Sequence, residues 1–298
     1  MVYNWNHEMG ISQLLTLETL GIAMIYRILS AARWFIFLPR NAEELLEKNL
    51  SMLASMPRRK PGRTHLLGWD IEYVDAPSIS SMIRYQVVYG VNDFLCDKPD
   101  PFILDCGANV GISTLRFKQL FPEARIIAFE PDPQICEALR RNVASNNLSD
   151  VEVVEAAVWT ANTNLPFLRE GADGGHLLEA EAATQVGEIQ HVRAVDLAEY
   201  LSQPVDFLKI DIEGAELEVL RGCADALQNV EKMIVEVHYH VDRPQTLASI
   251  LEILGNAGFQ VSLAVSHFHS DPFISLQQPL IRNPNLNADL YPVIYAWR

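Results

Sequence analysis

Basic residues are scarce in this sequence: 23 Lys and Arg stand against 38 Asp and Glu, a formal net charge of −15. Nucleic acids and anionic lipid surfaces attract proteins through clustered cations, so this balance argues against a nucleic-acid partner. The one basic cluster, Arg58, Arg59 and Lys60 between Pro57 and Pro61, reads as an exposed loop. Cysteine is also scarce. Cys96, Cys106, Cys136 and Cys223 share no metal-ligand spacing and form no disulfide-like framework, which points to a reduced, cytoplasmic protein. No long hydrophobic run goes uninterrupted. The apolar stretch over residues 14–38 carries Glu18, Arg27 and Arg33, whereas a spanning helix needs about 20 nearly uncharged residues. Two packed helices are therefore expected there, with no transmembrane segment. Within it, residues 34–38 are apolar enough to touch a membrane surface or a partner, although burial is the simpler expectation. The first residues lack the basic start and short apolar core of a signal peptide. There is no internal repeat and no low-complexity tract.

What is present is an alternation. Residues 1–98 read as a mainly helical region, with a helix over 43–56, a short strand pair over 66–74 and a second helix over 78–92. Residues 99–298 then alternate short apolar runs with segments of helical spacing. FILDC, RIIAFE and VEVVEAAV read as strands separated by two helices, and VDFLKID and KMIVEVHYH as two more strands. FQVSLAV and PVIYAW are expected to close the sheet as an antiparallel pair. This is the pattern of a mostly parallel sheet with helices on both faces, a Rossmann-like α/β fold.

Two motifs carry chemistry. The first is LDCGANVGIS, where Asp105 ends a strand and Gly107 and Gly111 bracket the turn into a helix. Glycine leaves room for a ligand against the main chain, and a helix start offers free N–H groups. The spacing is D-x-G-x-N-x-G, not the G-x-G-x-x-G of a dinucleotide site. Asp105 and Asn109 place acceptors where a pyrophosphate would want none, but they suit the cationic end of a methionine. One strand-helix-strand unit later, Glu130 of FEPDP sits where the second strand ends, placed to accept hydrogen bonds from ribose hydroxyls.

The second motif is LKIDIEGAE, with Lys209, Asp211, Glu213 and Glu216 around a strand-to-helix junction. On the next strand Glu236 and His238 alternate onto one face. Methyl transfer to oxygen needs an aligned acceptor and a base for its proton. His238 is the first choice of base because imidazole titrates near neutral pH, and Asp211 is the second. Glu216 reads equally as a first-turn carboxylate that favours a helix start. Asp211, Glu236 and His238 could instead hold Mg²⁺, with metal dependence the lesser expectation. Tyr85, with Tyr89, would cover the cofactor or simply pack a helix face. Asp173 and His176, in and beside the GADGG loop, are expected with Glu213 and Tyr85 to shape an acceptor pocket.

Together ILDCGANVGISTLRF, IIAFEPDP, RRNVASNN, VEAAV and VDFLKIDIEGAELEVLRG resemble the FkbM family of methyltransferases. The resemblance implies a class I methyltransferase sheet of seven strands with the last antiparallel. It also implies S-adenosyl-L-methionine as donor and an oxygen acceptor on a small molecule, sugar or natural-product intermediate. By the same resemblance Asp105, Gly107, Asn109 and Gly111 would line the methionine part, and Glu130 would take the ribose. Ala157 and Val158 would flank the adenine, and Asp211 and Glu213 would face the transfer site. The N-terminal helices, matched by no motif, are expected to form a lid or a homodimer contact. Two other readings compete: a nicotinamide-dependent oxidoreductase, disfavoured by the loop spacing, and a non-catalytic adenosine-binding protein.

Overall fold

The computed structural model describes residues 40–169, 171–172, 175–177, 188–238, 246–265 and 292–298. The chain divides into two compact units, residues 1–51 and 52–298. The boundary expected between residues 98 and 99 therefore falls inside the second unit. Asp173 and residues 1–39, with the apolar run 34–38 and the first helices of the suggested dimer contact, lie outside the described residues.

The first described element is helix α1 (Arg40–Ala54). A hairpin follows, β1 (Gly62–Leu66) and β2 (Trp69–Tyr73), joined by Leu67 and Gly68 at φ 59° and 81°. The pair begins earlier than residue 66, because two consecutive positive-φ residues make the tight turn that matches strand twist. Helix α2 (Ala76–Met82) starts where the Asp75 carboxylate accepts from Ser78 N at 3.0 Å. It then widens into a π-helical turn over Ile83–Val88, so the expected single helix over 78–92 is two kinds of helix. The hairpin, the π turn and the loop behind it belong with the sheet domain. Asn142 donates to the carbonyl of Glu72 at 2.8 Å, Lys98 pairs with Asp206 at 2.6 Å, and Phe94 stacks on Phe207 with centroids 4.0 Å apart.

The central run comprises β3 (Phe102–Cys106), α3 (Ile112–Leu120), β4 (Arg125–Phe129), α4 (Pro133–Ser145) and β5 (Val151–Val154). After β6 (Ala157–Trp159), β7 (Thr163–Arg169), β8 (His176–Leu177) and β9 (Glu188–Asp196) come α5 (Leu197–Tyr200) and β10 (Val205–Ile210). Helix α6 (Glu216–Gly222) and β11 (Val230–Glu236) lead to α7 (Thr246–Asn256), β12 (Gln260–Val265) and β13 (Pro292–Trp297).

Seven strands form one sheet in the order β12-β13-β11-β10-β3-β4-β5. Only β13 runs against its neighbours. Every residue of β3 and β10 is buried, as a strand covered on both faces requires. The faces are packed separately: Leu104, Cys106 and Leu208 join one apolar cluster, while Ile103 and Phe207 join another with Phe117 and Ile234. Burial of such side chains stabilises by roughly 1.5–3 kcal/mol each before conformational entropy is counted. This is the Rossmann-like class I methyltransferase arrangement.

Two expected elements are subdivided. VEVVEAAV is not one strand. The β4 ladder ends with Phe129 opposite Val154, so nothing remains for the chain to pair with. It bends, and Ala157–Trp159 pairs instead with β9 in a second, four-stranded sheet. The helix expected over EGAELEVLRGCADAL starts only at Glu216, because Glu213 and Gly214 sit at φ 55° and 100°. Among the described residues no helix is long and apolar enough to cross a membrane.

Candidate active site

Strand order sets the layout of the site. The glycine turn after β3 is central, β4 and β5 lie to one side, and β10 and β11 to the other. A cavity of about 350 Å³ follows the carboxyl ends of these strands, within the range of small-ligand sites.

At the β4–β5 end the walls are apolar. Phe129, Ile135, Val158, Phe167 and Leu177 face the cavity beside Glu130. Glu130 is 5% exposed, and its two carboxylate oxygens accept from Asn109 N at 3.0 Å and Asp132 N at 2.8 Å. Burial pushes its carboxyl up to about 8, against the pull of those N–H bonds. Such a carboxyl gains from further donors, which a vicinal diol provides. Its position is rigid. Asp132 caps α4 by accepting from Gln134 N at 2.8 Å, and Arg169 clamps Asp132 at 2.8 Å. Ala157 and Val158 line this end as expected.

The glycine turn behaves differently from its sequence reading. Asp105 is fully buried and does not line the cavity. Its Oδ2 accepts from Ser113 Oγ at 2.6 Å and Thr114 Oγ1 at 2.7 Å, bracing the turn against α3. Asn109 does line the cavity, but its Oδ1 accepts from Val110 N at 2.7 Å. Gly111 supports the turn from outside the cavity: φ is 93°, and a Cβ there would meet Leu139 at 2.5 Å. The room that Gly107 leaves is filled by the protein itself. A Cβ on Gly107 would lie 1.8 Å from the Asp211 carbonyl oxygen, at φ 80°. Gly107 therefore lets the β3 and β10 loops close on each other.

The β10–β11 end is charged. Lys209, 2% exposed, donates to the Gly107 carbonyl at 2.9 Å and pairs with Asp211 at 3.1 Å, with Asp105 at 3.5 Å. Burial alone would push its ammonium down. The charges of Asp211 and Asp105 outweigh that and hold it above its ordinary value. His238 stands among four carboxylates. Its Nδ1 is 3.0 Å from Glu216, and its Nε2 is 3.5 Å from Glu213, 3.9 Å from Asp211 and 4.0 Å from Glu236. Burial would lower this imidazole, but the Glu216 bond and the surrounding carboxylates raise it to about 10. It therefore carries its proton at neutral pH. The expectation that His238 acts as a neutral imidazole base does not fit this setting.

Two carboxyls are raised as well. Burial, reinforced by the neighbouring Asp211 charge, pushes Glu236 up to about 7 and Glu213 up to about 8, with His238 opposing both shifts. Tyr85, on the π turn, faces Glu236 and Asp211. Burial and those charges hold its phenol above its usual range. The expected metal trio also changes. Among the described residues, ligand atoms of Asp211, Glu213 and His238 lie within 4.8 Å of one another, so Glu213 takes the place expected of Glu236.

The GADGG segment reaches the cavity through Ala172 and Gly175, beside Phe167 at the apolar end. His176, expected in an acceptor pocket, is not among the lining residues. Sequence reasoning gave Lys209 no role, although a lone cation in the apolar strand VDFLKI was a usable signal. It missed Gln86 altogether. This residue lines the cavity at 8% exposure with its Oε1 unbonded among the described residues. Nothing in the pattern marks the π turn that brings Ser81, Met82, Tyr85 and Gln86 to the cavity together.

The Methyltransferase FkbM domain matches residues 105–261, more than half of the chain. The protein belongs to the FkbM methyltransferase family. It is a methyltransferase, and the glycine turn, Glu130 and the charged cluster all lie inside the matched span, while Tyr85 and Gln86 lie before it. Methyltransferase sdnD of Sordaria araneosa is 29% identical over 209 residues, covering 58% of this chain and 79% of that protein. The 2-O-methyltransferase NoeI of Sinorhizobium fredii is 29% identical over 183 residues, 55% and 72% of the two chains. The 31-O-demethyl-FK506 methyltransferase FkbM of Streptomyces tacrolimicus is 26% identical over 196 residues, 55% and 74%. Among solved structures, Methyltransferase FkbM from Methylobacillus flagellatus is 15% identical with a TM-score of 0.45, over 84% of this chain and 58% of that one.

Proposed function

We propose that this FkbM-family enzyme transfers a methyl group from S-adenosylmethionine to a hydroxyl of a small molecule or sugar. One observation carries the reading. A single cavity runs from Glu130 and its apolar walls, past the glycine turn, to a cluster of carboxylates. The residues fit the donor. Phe129, Ile135, Val158 and Phe167 suit a flat nucleobase, Glu130 suits the ribose diol, and Asp211, Glu213 and Glu236 suit a sulfonium. When bound, the donor supplies an activated methyl group that leaves a neutral thioether behind. The names of the relatives support an oxygen acceptor: NoeI is a 2-O-methyltransferase, and the Streptomyces protein acts at a 31-O position. Four free cysteines are consistent with a reducing cytoplasm.

The chain's own work is positioning and proton removal. Holding the acceptor oxygen roughly 3 Å from the methyl carbon, in line with the departing sulfur, supplies much of the rate. The hydroxyl proton passes to one of the two raised carboxylates, Glu213 or Glu236, each tuned toward the working pH as a general base should be. Asp211, paired with Lys209, would stand beside the sulfonium. Tyr85 and Gln86 form the opposite wall, where Gln86 offers an acceptor to a substrate hydroxyl.

Calorimetry with S-adenosylhomocysteine and, separately, NADH tests the donor, and a hydroxyl-acceptor screen with labelled donor tests the transfer. Saturable binding of the homocysteine product alone, with label appearing in an ether linkage, is expected. Binding of NADH alone, or of neither, would end this reading.

A further inference from the structure

Glu216 gathers three hydrogen bonds on one carboxylate oxygen, yet it is absent from the cavity lining. It is fully buried at the first turn of α6. A single oxygen, Oε1, accepts from Ile212 N at 3.2 Å, Gly214 N at 3.1 Å and His238 Nδ1 at 3.0 Å. Those three donors come from two strand ends. Ile212 and Gly214 belong to the turn after β10, and His238 follows β11. Between Ile212 and Gly214 stands Glu213, held at φ 55°, a left-handed conformation that is costly for a non-glycine residue. Two N–H bonds to one buried oxygen hold that conformation in place. The third bond fixes the imidazole with Nε2 toward Glu213, Asp211 and Glu236.

We infer that Glu216 is a positioning residue of the transfer site: it pins the Asp211–Gly214 turn and fixes the orientation of the His238 ring among the carboxylates that handle the acceptor proton. This deepens the methyl-transfer reading and rests on it for its catalytic consequence. A helix-start carboxylate could serve only the helix dipole, and Glu218, in the same first turn, serves that purpose equally. What Glu218 lacks is the bond to His238. The His238 arrangement matches a general pattern in which a buried carboxylate fixes the orientation of a functional histidine.

Glu216→Gln tests this with little change of shape. The amide keeps an acceptor oxygen for the two backbone N–H groups and removes the charge. Histidine-labelled protein would be titrated by NMR, without donor or acceptor, in wild type, Glu216→Gln and Glu218→Gln. The His238 midpoint is expected to fall by at least a factor of about 10 in proton affinity in Glu216→Gln and to stay put in Glu218→Gln. In turnover, Glu216→Gln removes one of the charges that raise Glu213, so the acid limb of the kcat profile is expected to move to lower pH. The variant should lower kcat about 10- to 100-fold near neutral pH, with S-adenosylhomocysteine affinity within a few-fold of wild type. If both variants shift His238 equally, or neither does, Glu216 is an ordinary helix-start carboxylate and the inference is wrong. Should Glu216→Gln fail to fold, wild type decides: a His238 Nδ1 proton protected to high pH is expected, and a freely exchanging one overturns the assignment. The titration needs no methyl donor, so it stands even if donor binding fails.

Discussion

The two ends of the cavity bind by opposite strategies. Over β4 and β5 the ligand meets an apolar box and one carboxyl, each of whose oxygens already accepts a backbone N–H. Over β10 and β11 it meets His238 and a group of carboxylates, backed by the buried Lys209, whose charges are mutually dependent. The first end can lose a contact and remain a binding site. The second is a network, in which removing one charge alters the protonation of the rest. On the proposed reading, one end holds a nucleoside and the other changes its charge state during the reaction.

Breaking the join between the ends has the largest expected effect. Gly107→Ala would strain a positive φ and drive a methyl group into the Asp211 carbonyl oxygen. A loss of several kcal/mol is expected, combining left-handed strain with overpacking. Thermal unfolding and donor binding should both fail together. A stable variant that binds normally would show that the two loops are not pressed together.

Next in size are the single substitutions Glu213→Gln and Glu236→Gln. One of them should lower kcat by about 100- to 10,000-fold, the usual worth of a positioned base, while S-adenosylhomocysteine still binds. Near-normal turnover in both would move the base role to Asp211. The accompanying pH profile has a definite sign. A base works ionised, so kcat should be low below the raised values of about 7 and 8 and climb as pH rises through them. A profile falling over that range would mean that a protonated group, His238 among the candidates, does the work.

The smallest effect belongs to the neutral end. Glu130→Ala should weaken cofactor binding by roughly 10- to 100-fold, the value of two hydrogen bonds of about 1 kcal/mol each, yet leave kcat at saturating donor close to wild type. Equal losses in both would contradict the division of labour between the ends.

Much of this was legible before the structure. The β-α-β alternation, the closing antiparallel pair and the positions of Glu130, Asp211 and His238 follow from short apolar runs and the motifs at their ends. What was not legible is where side chains turn once several strands meet. Asp105 looked like a ligand group because it ends a strand beside glycines, but it points back to Ser113 and Thr114. His238 looked like a base because its ordinary pKa is near neutral. The carboxylates that reverse this come from a turn some 25 residues away and from its own strand. The break of VEVVEAAV depends on β4 ending at Phe129, which is a property of the neighbouring strand.

The most direct test of the account is a crystal structure of the complex with S-adenosylhomocysteine. The ribose hydroxyls should bond Glu130, the adenine should lie between Val158 and Phe167, and the sulfur should face the Asp211, Glu213 and His238 cluster. A nucleoside bound outside this cavity, or lying in it with the sulfur at the Glu130 end, would contradict the assignment of the two ends.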